Sequence, residues 1–338
     1  MKILIVSGFL GAGKTTFIKQ LVRRSGIRPV IMENEYGQND LDARELEKNL
    51  PEKKEIKILE FMEGCVCCTM KDSFVNSVMT VYCGLEPEYL IVEPTGIGRL
   101  GSIVENLKPL LNDKISLLKP VVVISPRSYN SNMAEFSALY SDQIANAGIV
   151  VFSKGEQEDP DFLEDVARKV RAINPRAEIT TEHYSKKPDV WWRALADAES
   201  EVLPDSQGFK ESESFSQMTL HKASVHNTSE LVVLLEDCLH GEFGRIVRAK
   251  GVLGAGKEML RFDLADRQYV ITGSEENDAQ DSTQVVFIGT DLDPQALCTR
   301  LYTSPSQEDI RLSFTQNRQD ANRQDADRRA FSRILGRT

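Results

Sequence analysis

The segment Gly8-Phe9-Leu10-Gly11-Ala12-Gly13-Lys14-Thr15 constrains this chain more than any other, because it fits G-x-x-x-x-G-K-[ST] in a context that gives the pattern physical meaning. An apolar β-rich run, Ile3-Leu4-Ile5-Val6, leads into it, and a helical pattern over 15–24 leaves it. Glycines at such a junction let successive backbone N–H groups turn inward around phosphate oxygens, and the helix N-terminus adds its positive dipole end. In that arrangement Lys14 bridges the β- and γ-phosphates and the Thr15 hydroxyl ligates Mg²⁺, while Gly11, Ala12, Gly13 and Thr16 complete the expected phosphate contacts. A glycine-rich turn matching by chance is the competing reading, and the correctly placed strand and helix argue against it.

A phosphate loop of this kind belongs to an α/β sheet, and the next stretches agree. Strands are expected over 2–6, 29–33, 55–61, 89–93, 117–125, 148–152 and 178–181, alternating with helices over 15–24, 72–83, 102–111, 132–147 and 159–174. Continuous apolar runs such as Val121-Val122-Val123-Ile124 suit strands covered on both faces. The expected fold class is therefore α/β, a P-loop NTPase with a mostly parallel sheet and helices on both faces, over residues 1–197. Residues 198–214 turn polar and read as a linker. Beyond it, strands over 215–225, 244–250, 259–262, 268–272 and 284–288 with helices over 229–240 and 294–301 describe a smaller α+β C-terminal domain, 215–305. The tail 306–338 repeats NRQDA in tandem and is expected to be polar and flexible.

The pattern nearly recurs once. Gly251-Val252-Leu253-Gly254-Ala255-Gly256-Lys257 has the same skeleton, but Glu258 replaces the Ser or Thr, and strands are expected on both sides. It reads as a glycine-rich turn and not as a second nucleotide site.

Two further features carry chemistry. Leu90-Ile91-Val92-Glu93 is an apolar strand ending in an acid, followed by Pro94-Thr95-Gly96. An acid at that strand tip supports Mg²⁺ or orients water, and Gly96 lets a backbone N–H approach the γ-phosphate. An acid that merely caps a strand would be the bland alternative. The polar segment over 34–40 could serve as a switch loop, or as no more than a polar loop.

Glu63-Gly64-Cys65-Val66-Cys67-Cys68 places three of the six cysteines within four residues. Thiolates favour soft or borderline metals, and Cys65, Cys67 and Cys68 leave a tetrahedral Zn²⁺ one ligand short, to be filled by water, Glu63, Glu35 or a partner group. C-x-C-C is not the C-x-x-C of a thioredoxin-like redox pair, while Cys83, Cys238 and Cys298 read as packing residues. The four histidines, His183, His221, His226 and His240, are scattered.

The motifs GFLGAGKTT (8–16), NEYG (34–37), EGCVCC (63–68) and EPTG (93–96), in this order, closely resemble the CobW-type metallochaperone GTPases, relatives of the UreG and HypB nickel-insertion GTPases. Arg248-Ala249-Lys250-Gly251 and Val285-Val286-Phe287-Ile288-Gly289 look like the CobW C-terminal domain, so the resemblance covers about 1–303. It implies a slow GTPase that binds Zn²⁺, Co²⁺ or a similar ion at C-x-C-C. Nucleotide and metal states would be coupled, with delivery to a client metalloprotein or cobalamin-pathway protein. Catalytic roles would fall to Lys14, Thr15 and Glu93. The family's guanine-reading N-K-x-D corresponds here to Ser153-Lys154-Gly155-Glu156: Lys154 packs along the base and Glu156 accepts from guanine N1 and N2. Glu is one methylene longer than Asp and Ser153 is a poorer brace than Asn, which predicts a weakened guanine preference. After the fifth strand, where the family tends to carry Asp, this chain has Ser125-Pro126-Arg127.

Composition sets the outer bounds. A net charge of −10 disfavours a nucleic-acid binder, and no apolar stretch is long enough for a membrane helix. The N-terminus lacks a signal peptide's layout, so a cytoplasmic protein is expected. Expected partners are GTP or GDP, a transition metal ion and a client, with no nucleic acid and no membrane. Oligomeric state is left open, a metal- or nucleotide-dependent dimer included. Rival readings are an ATPase or small-molecule kinase with a structural metal site, a nucleotide-gated binding module, and a thiol redox sensor.

Overall fold

Runs with no polar face to offer solvent become fully buried strands. Val121-Val122-Val123-Ile124 and Ile149-Val150-Val151-Phe152 are buried along their whole length. The computed structural model describes residues 1–33, 57–60, 71–200, 215–273, 283–301 and 310–313, and the chain divides into two units, Met1–Glu213 and Ser214–Thr338.

The first unit runs β1 (Lys2–Ser7), α1 (Lys14–Ser25), β2 (Pro29–Glu33), β3 (Lys57–Glu60), α2 (Lys71–Leu85), β4 (Tyr89–Glu93), α3 (Leu100–Leu107), β5 (Ser116–Leu117), β6 (Val121–Ile124), α4 (Tyr129–Glu135), α5 (Ser137–Ala145), β7 (Ile149–Phe152), α6 (Pro160–Ile173), β8 (Glu178–Thr180) and α7 (Asp189–Asp197). The strands pair in parallel in the order β3-β2-β4-β1-β6-β7-β8, with β5 also beside β1. Leu4, Val6, Ile91, Val123 and Val151 pack with Phe17 and Leu21 of α1 and Trp192 and Leu195 of α7. The alternate residues Ile3, Ile5, Val122 and Ile124 are equally buried, so both faces of the sheet are covered.

Helix ends follow their local chemistry. The Asp159 carboxylate accepts from Asp161 N–H at 2.8 Å with Pro160 in the first turn of α6, and Gly26 ends α1 in the left-handed region.

Several boundaries differ from the sequence expectation, each for a physical reason. The strand expected over 117–125 is two, because Pro120 has no N–H for the ladder; its carbonyl instead accepts from Gly148 and Ile149 N–H. The helix expected over 132–147 breaks at Phe136, whose ring stacks on Phe9 at 5.2 Å. The helix expected over 102–111 stops at Leu107, and Pro109 continues only as a short 3₁₀ turn. Helix α7 was not expected at all, although Trp192, Leu195 and Ala196 fall at helical spacing behind Pro188 and Asp189. It docks Trp192 against Phe17 at a centroid distance of 5.2 Å and pairs Asp189 with Arg24.

The second unit contains β9 (Ser216–His221), β10 (Ser224–Val225), α8 (Thr228–His240), β11 (Arg245–Ala255), β12 (Glu258–Ala265), β13 (Gln268–Gly273), β14 (Gln284–Thr290), α9 (Pro294–Leu301) and β15 (Ile310–Ser313). Its sheet runs β13-β12-β11-β14-β9-β15 with antiparallel pairings, and β10 joins β11 in parallel. Leu231, Leu234, Leu235 and Cys238 of α8 and Leu297 and Leu301 of α9 share one core with Met218, Leu220, Leu253, Val285 and Phe287. The second glycine-rich match is hairpin: Gly251 to Ala255 lie in β11 and Gly256-Lys257 turn into β12, with no helix following. Ile310–Ser313, within the segment expected to be a polar tail, pairs with β9; the rest of that tail lies outside the described residues.

Candidate functional site

At the end of β1 the chain turns on glycines. Gly8 has φ +141, and a Cβ there would strike the Val123 carbonyl oxygen, so only glycine lets the loop leave the sheet against β6. Gly11 and Gly13 also have positive φ, at +74 and +92, and Ala12 N–H donates to Phe9 O at 3.1 Å. Gly13 precedes α1 without a side-chain cap, and the first turn of α1 carries no acidic residue. The positive end of the helix therefore faces the loop uncompensated by its own sequence, the arrangement that favours an anion. Lys14 is buried here.

Thr15 Oγ1 donates to Glu93 Oε1 at 2.9 Å, joining the first turn of α1 to the last residue of β4. β4 lies directly beside β1, which is why strand order brings residues 78 positions apart into contact. Glu93 stands in register with Glu33 at the end of β2, and Glu33 with Glu60 at the end of β3. Three neighbouring strands thus end in glutamate at one edge. The segments leaving that edge are Pro94-Thr95-Gly96, residues 34–56 and residues 61–70.

Gly96 touches the phosphate loop backbone to backbone: a Cβ there would strike the Leu10 nitrogen and Cα. Thr95 shapes the turn, accepting from Ile97 N–H at its Oγ1 and from Gly98 N–H at its carbonyl. Helix α5 holds the same turn from behind. Gln143 Nε2, fully buried, donates to Gly96 O and Gly98 O at 3.1 Å each. Asp142 accepts from Gly101 N–H at 3.2 Å, and burial pushes its carboxyl above the ordinary range against the pull of that N–H and of Arg99. Sequence reading missed Gln143 and Asp142; the signal was two adjacent polar residues in a helix otherwise turned to the core by Leu139, Tyr140 and Ile144.

The segment expected to read the base leaves β7 beside this loop. Ser153 Oγ donates to Ala12 O at 2.6 Å and contacts Ile124 O at 3.2 Å, so the serine touches the phosphate loop directly. Lys154 follows at φ +53, turning the chain sharply off the strand. Glu156 Oε1 pairs with His183 Nε2 at 3.0 Å, and Arg127 pairs with Glu158. Sequence reading had set His183 aside as scattered. His226 and His240 serve local structure: His226 bonds Glu230 at the start of α8, and His240 bonds the Glu236 carbonyl.

Cys65, Cys67, Cys68, Glu35 and Glu63 lie outside the described residues. Among the described residues, no group of three or more His, Cys, Asp and Glu is gathered for a metal ion. Cys238 packs in the C-terminal core, where burial pushes its thiol up to about 12, and burial also raises the half-buried Cys298. Cys83, expected to pack, is exposed. No described helix is long and apolar enough to cross a membrane.

Comparison with known proteins agrees with this geometry. Residues 2–181 match the nucleotide-binding domain of CobW/HypB/UreG, and residues 215–303 match the cobalamin synthesis protein CobW C-terminal domain. The zinc-regulated GTPase metalloprotein activator 1 of Schizosaccharomyces pombe is 25% identical over 247 residues, covering 70% of this chain and 57% of that protein. The zinc chaperone CobW of Pseudomonas aeruginosa is 25% identical over 351 residues, covering 90% and 91%. This chain thus spans a little over half of the first relative and nearly all of the second. The crystal structure of Zn(II)-bound YjiA GTPase from E. coli aligns with a TM-score of 0.43 at 17% identity, covering 89% of this chain and 97% of that one. With both of its family domains matched in order along most of its length, the chain belongs to the CobW/HypB/UreG family of P-loop GTPases.

Proposed function

We propose that this chain is a slow, Mg²⁺-dependent GTPase of the cytoplasm that carries Zn²⁺ or Co²⁺ on Cys65, Cys67 and Cys68 and delivers it to a client metalloprotein or cofactor pathway. The observation that carries the nucleotide half is the Thr15 to Glu93 hydrogen bond at the mouth of the glycine loop. A hydroxyl and a carboxylate held together there are hard oxygen donors of the kind that would hold a hydrated Mg²⁺. When bound, Mg²⁺ would offset the charge of the phosphate oxygens.

The chain's own residues supply the rest. Gly11, Ala12, Gly13 and the first N–H groups of α1, Thr16 included, hold the phosphates. Lys14 offsets charge on the transferring phosphoryl. Gly96, free of a Cβ, presents its N–H to the γ-phosphate. Glu93 orients water. Lys154 lies along the base, and Glu156 accepts from guanine N1 and N2. The γ-phosphorus loses its bond to the β-phosphate bridging oxygen and gains one to water, leaving GDP and inorganic phosphate.

The metal half rests on thiolate chemistry and on connectivity. Residues 61–70 follow directly on Glu60, which shares a register row with Glu33 and Glu93. In the proposed coupling, a shift of the turn at Thr95-Gly96 on loss of the γ-phosphate is passed through β4 and β2 to the end of β3, from which the chain continues into the cysteine segment. Curated relatives named as zinc chaperones and a zinc-regulated GTPase metalloprotein activator support zinc as the first ion to try.

The test is nucleotide binding and phosphate release with GTP and ATP in parallel, with Mg²⁺ and with chelator. GTP should outcompete ATP, bind more tightly with Mg²⁺, and turn over slowly with a rate lost in Thr15→Ala. Equal ATP use would point to an ATPase, and tight GTP binding without turnover in the presence of metal would leave a nucleotide-gated binding module.

A further inference from the structure

The contact between Glu156 and His183 is not needed by any step above, yet it is built from both sides. His183 Nε2 lies 3.0 Å from Glu156 Oε1. On the other side of the ring, Nδ1 lies 2.8 Å from Ser185 Oγ and 3.4 Å from Ser185 N. A backbone N–H can only donate, so Nδ1 is the acceptor. In the neutral ring the proton must then sit on Nε2, where it donates to Glu156. The ring also lies over Tyr184 at a centroid distance of 4.2 Å, and Tyr184 is buried against Phe17 and Trp192. The imidazole is thus fixed in place and in tautomer, with its side chain 13% exposed against 49% for Glu156.

We propose that His183 is a specificity-positioning residue for guanine: it holds the carboxylate of Glu156, on its longer side chain, in the one orientation that reads the base. This rests on the assignment of Glu156 as guanine reader. A glutamate has one more rotatable bond than an aspartate, and a half-exposed glutamate on a loop samples many rotamers. Two parallel acceptor bonds from guanine N1–H and N2–H demand one orientation. With Nε2–H holding Oε1 from the side, that freedom is removed before the nucleotide arrives, and a carboxylate oxygen with two lone pairs keeps acceptor capacity for the base. Burial first, and the nearby Glu156 carboxylate charge second, push the Tyr184 hydroxyl up to about 12.

The experiment measures affinities for non-hydrolysable GTP and ATP analogues in the full-length parent, His183→Ala, His183→Gln, Glu156→Ala and the Glu156→Ala/His183→Ala double variant, with Tm for each. His183→Ala should weaken GTP about tenfold without a matching loss of ATP, the worth of one hydrogen bond to a charged group. His183→Gln, which returns an N–H near the Nε2 position, should recover most of it. In the Glu156→Ala background, removing His183 should change GTP affinity no further. Equal losses of GTP and ATP in His183→Ala would make His183 merely structural and overturn the proposal, as would a further loss in the double variant. If Glu156→Ala lowers GTP selectivity while His183→Ala matches the parent, only the positioning role falls. If Glu156→Ala itself leaves the GTP to ATP ratio unchanged, the base-reading assignment falls with it.

Discussion

Thr15 Oγ1 donates to Glu93 Oε1 across 2.9 Å, so the first helical turn after the glycine loop is tied to the tip of the neighbouring strand. Glu93→Gln keeps the shape but replaces an anion by a neutral amide, which should cut GTP hydrolysis and Mg²⁺ affinity by about 10–100-fold, the usual worth of a group supporting a metal from outside its immediate ligands. Thr15→Ala should cost at least as much in Mg²⁺-dependent binding. Steady-state phosphate release over a Mg²⁺ titration reads both, and a parent-like Mg²⁺ dependence in Glu93→Gln would contradict the assignment.

Gly96→Ala adds a single methyl group where the backbone of Leu10 already stands. Neither partner is a flexible side chain, so the phosphate loop or the turn after β4 must move. The expected cost is about 1–3 kcal/mol of stability together with a marked loss of GTP affinity. Calorimetric titration and thermal unfolding check the two parts, and unchanged affinity would show that the approach is not functional.

Asn174 closes the end of α5. Its Nδ2 donates to the carbonyls of Ile144, Ala145 and Ala147 at 2.9, 3.2 and 2.9 Å, and the residue is buried. The Ile144 and Ala145 carbonyls lie in the last turn of α5 and that of Ala147 just beyond it, where helix carbonyls run short of partners. Asn174→Ala should lower stability by about 1–3 kcal/mol by leaving buried acceptors unmet. Urea unfolding measures it, and an unmoved midpoint would contradict the account.

Asp142 gives stability a pH signature. Burial raises its carboxyl above the ordinary 3.8, so the folded chain keeps this proton to higher pH than the unfolded chain does. Stability contributed by Asp142 therefore falls as pH rises from 3.8 through the raised folded value, and stays lowered above it. In Asp142→Asn this dependence is gone. The difference in unfolding free energy between variant and parent should move in the variant's favour across that window. A difference that is flat with pH, or that moves the other way, would contradict it.

What could be read from the residues alone follows from how local each signal is. Gly8 to Thr15, the buried run at Val121–Ile124 and the acid at Glu93 are contiguous patterns whose meaning is set by neighbours in sequence, and the parallel sheet places them where expected. The hydrogen bonds of Gln143 to Gly96 and of Ser153 to Ala12 join positions 47 and 141 apart, and no periodicity encodes them. The same holds for His183, whose meaning appears only when β8 brings it beside Glu156. The α4/α5 break was hidden because residues 132–147 suit a helix throughout; the Phe9 ring, contributed by the phosphate loop, decides it. Helix α7 is short and gives its periodic signal few residues to build on, although Trp192, one of its two tryptophans, is fully buried in the core.

In the proposed function, nucleotide state governs metal binding. The direct measurement is a Zn²⁺ and Co²⁺ titration of the reduced protein, loaded in parallel with a non-hydrolysable GTP analogue and with GDP, read by the thiolate-to-Co²⁺ charge-transfer band. If the sites are coupled, the ratio of metal affinities in the two states equals the ratio by which metal changes preference for the two nucleotides. The expected result is tight binding in one state, weak binding in the other, and loss of the band in Cys67→Ser. Equal affinity in both states would contradict it, leaving a GTPase with a metal site that its nucleotide does not control.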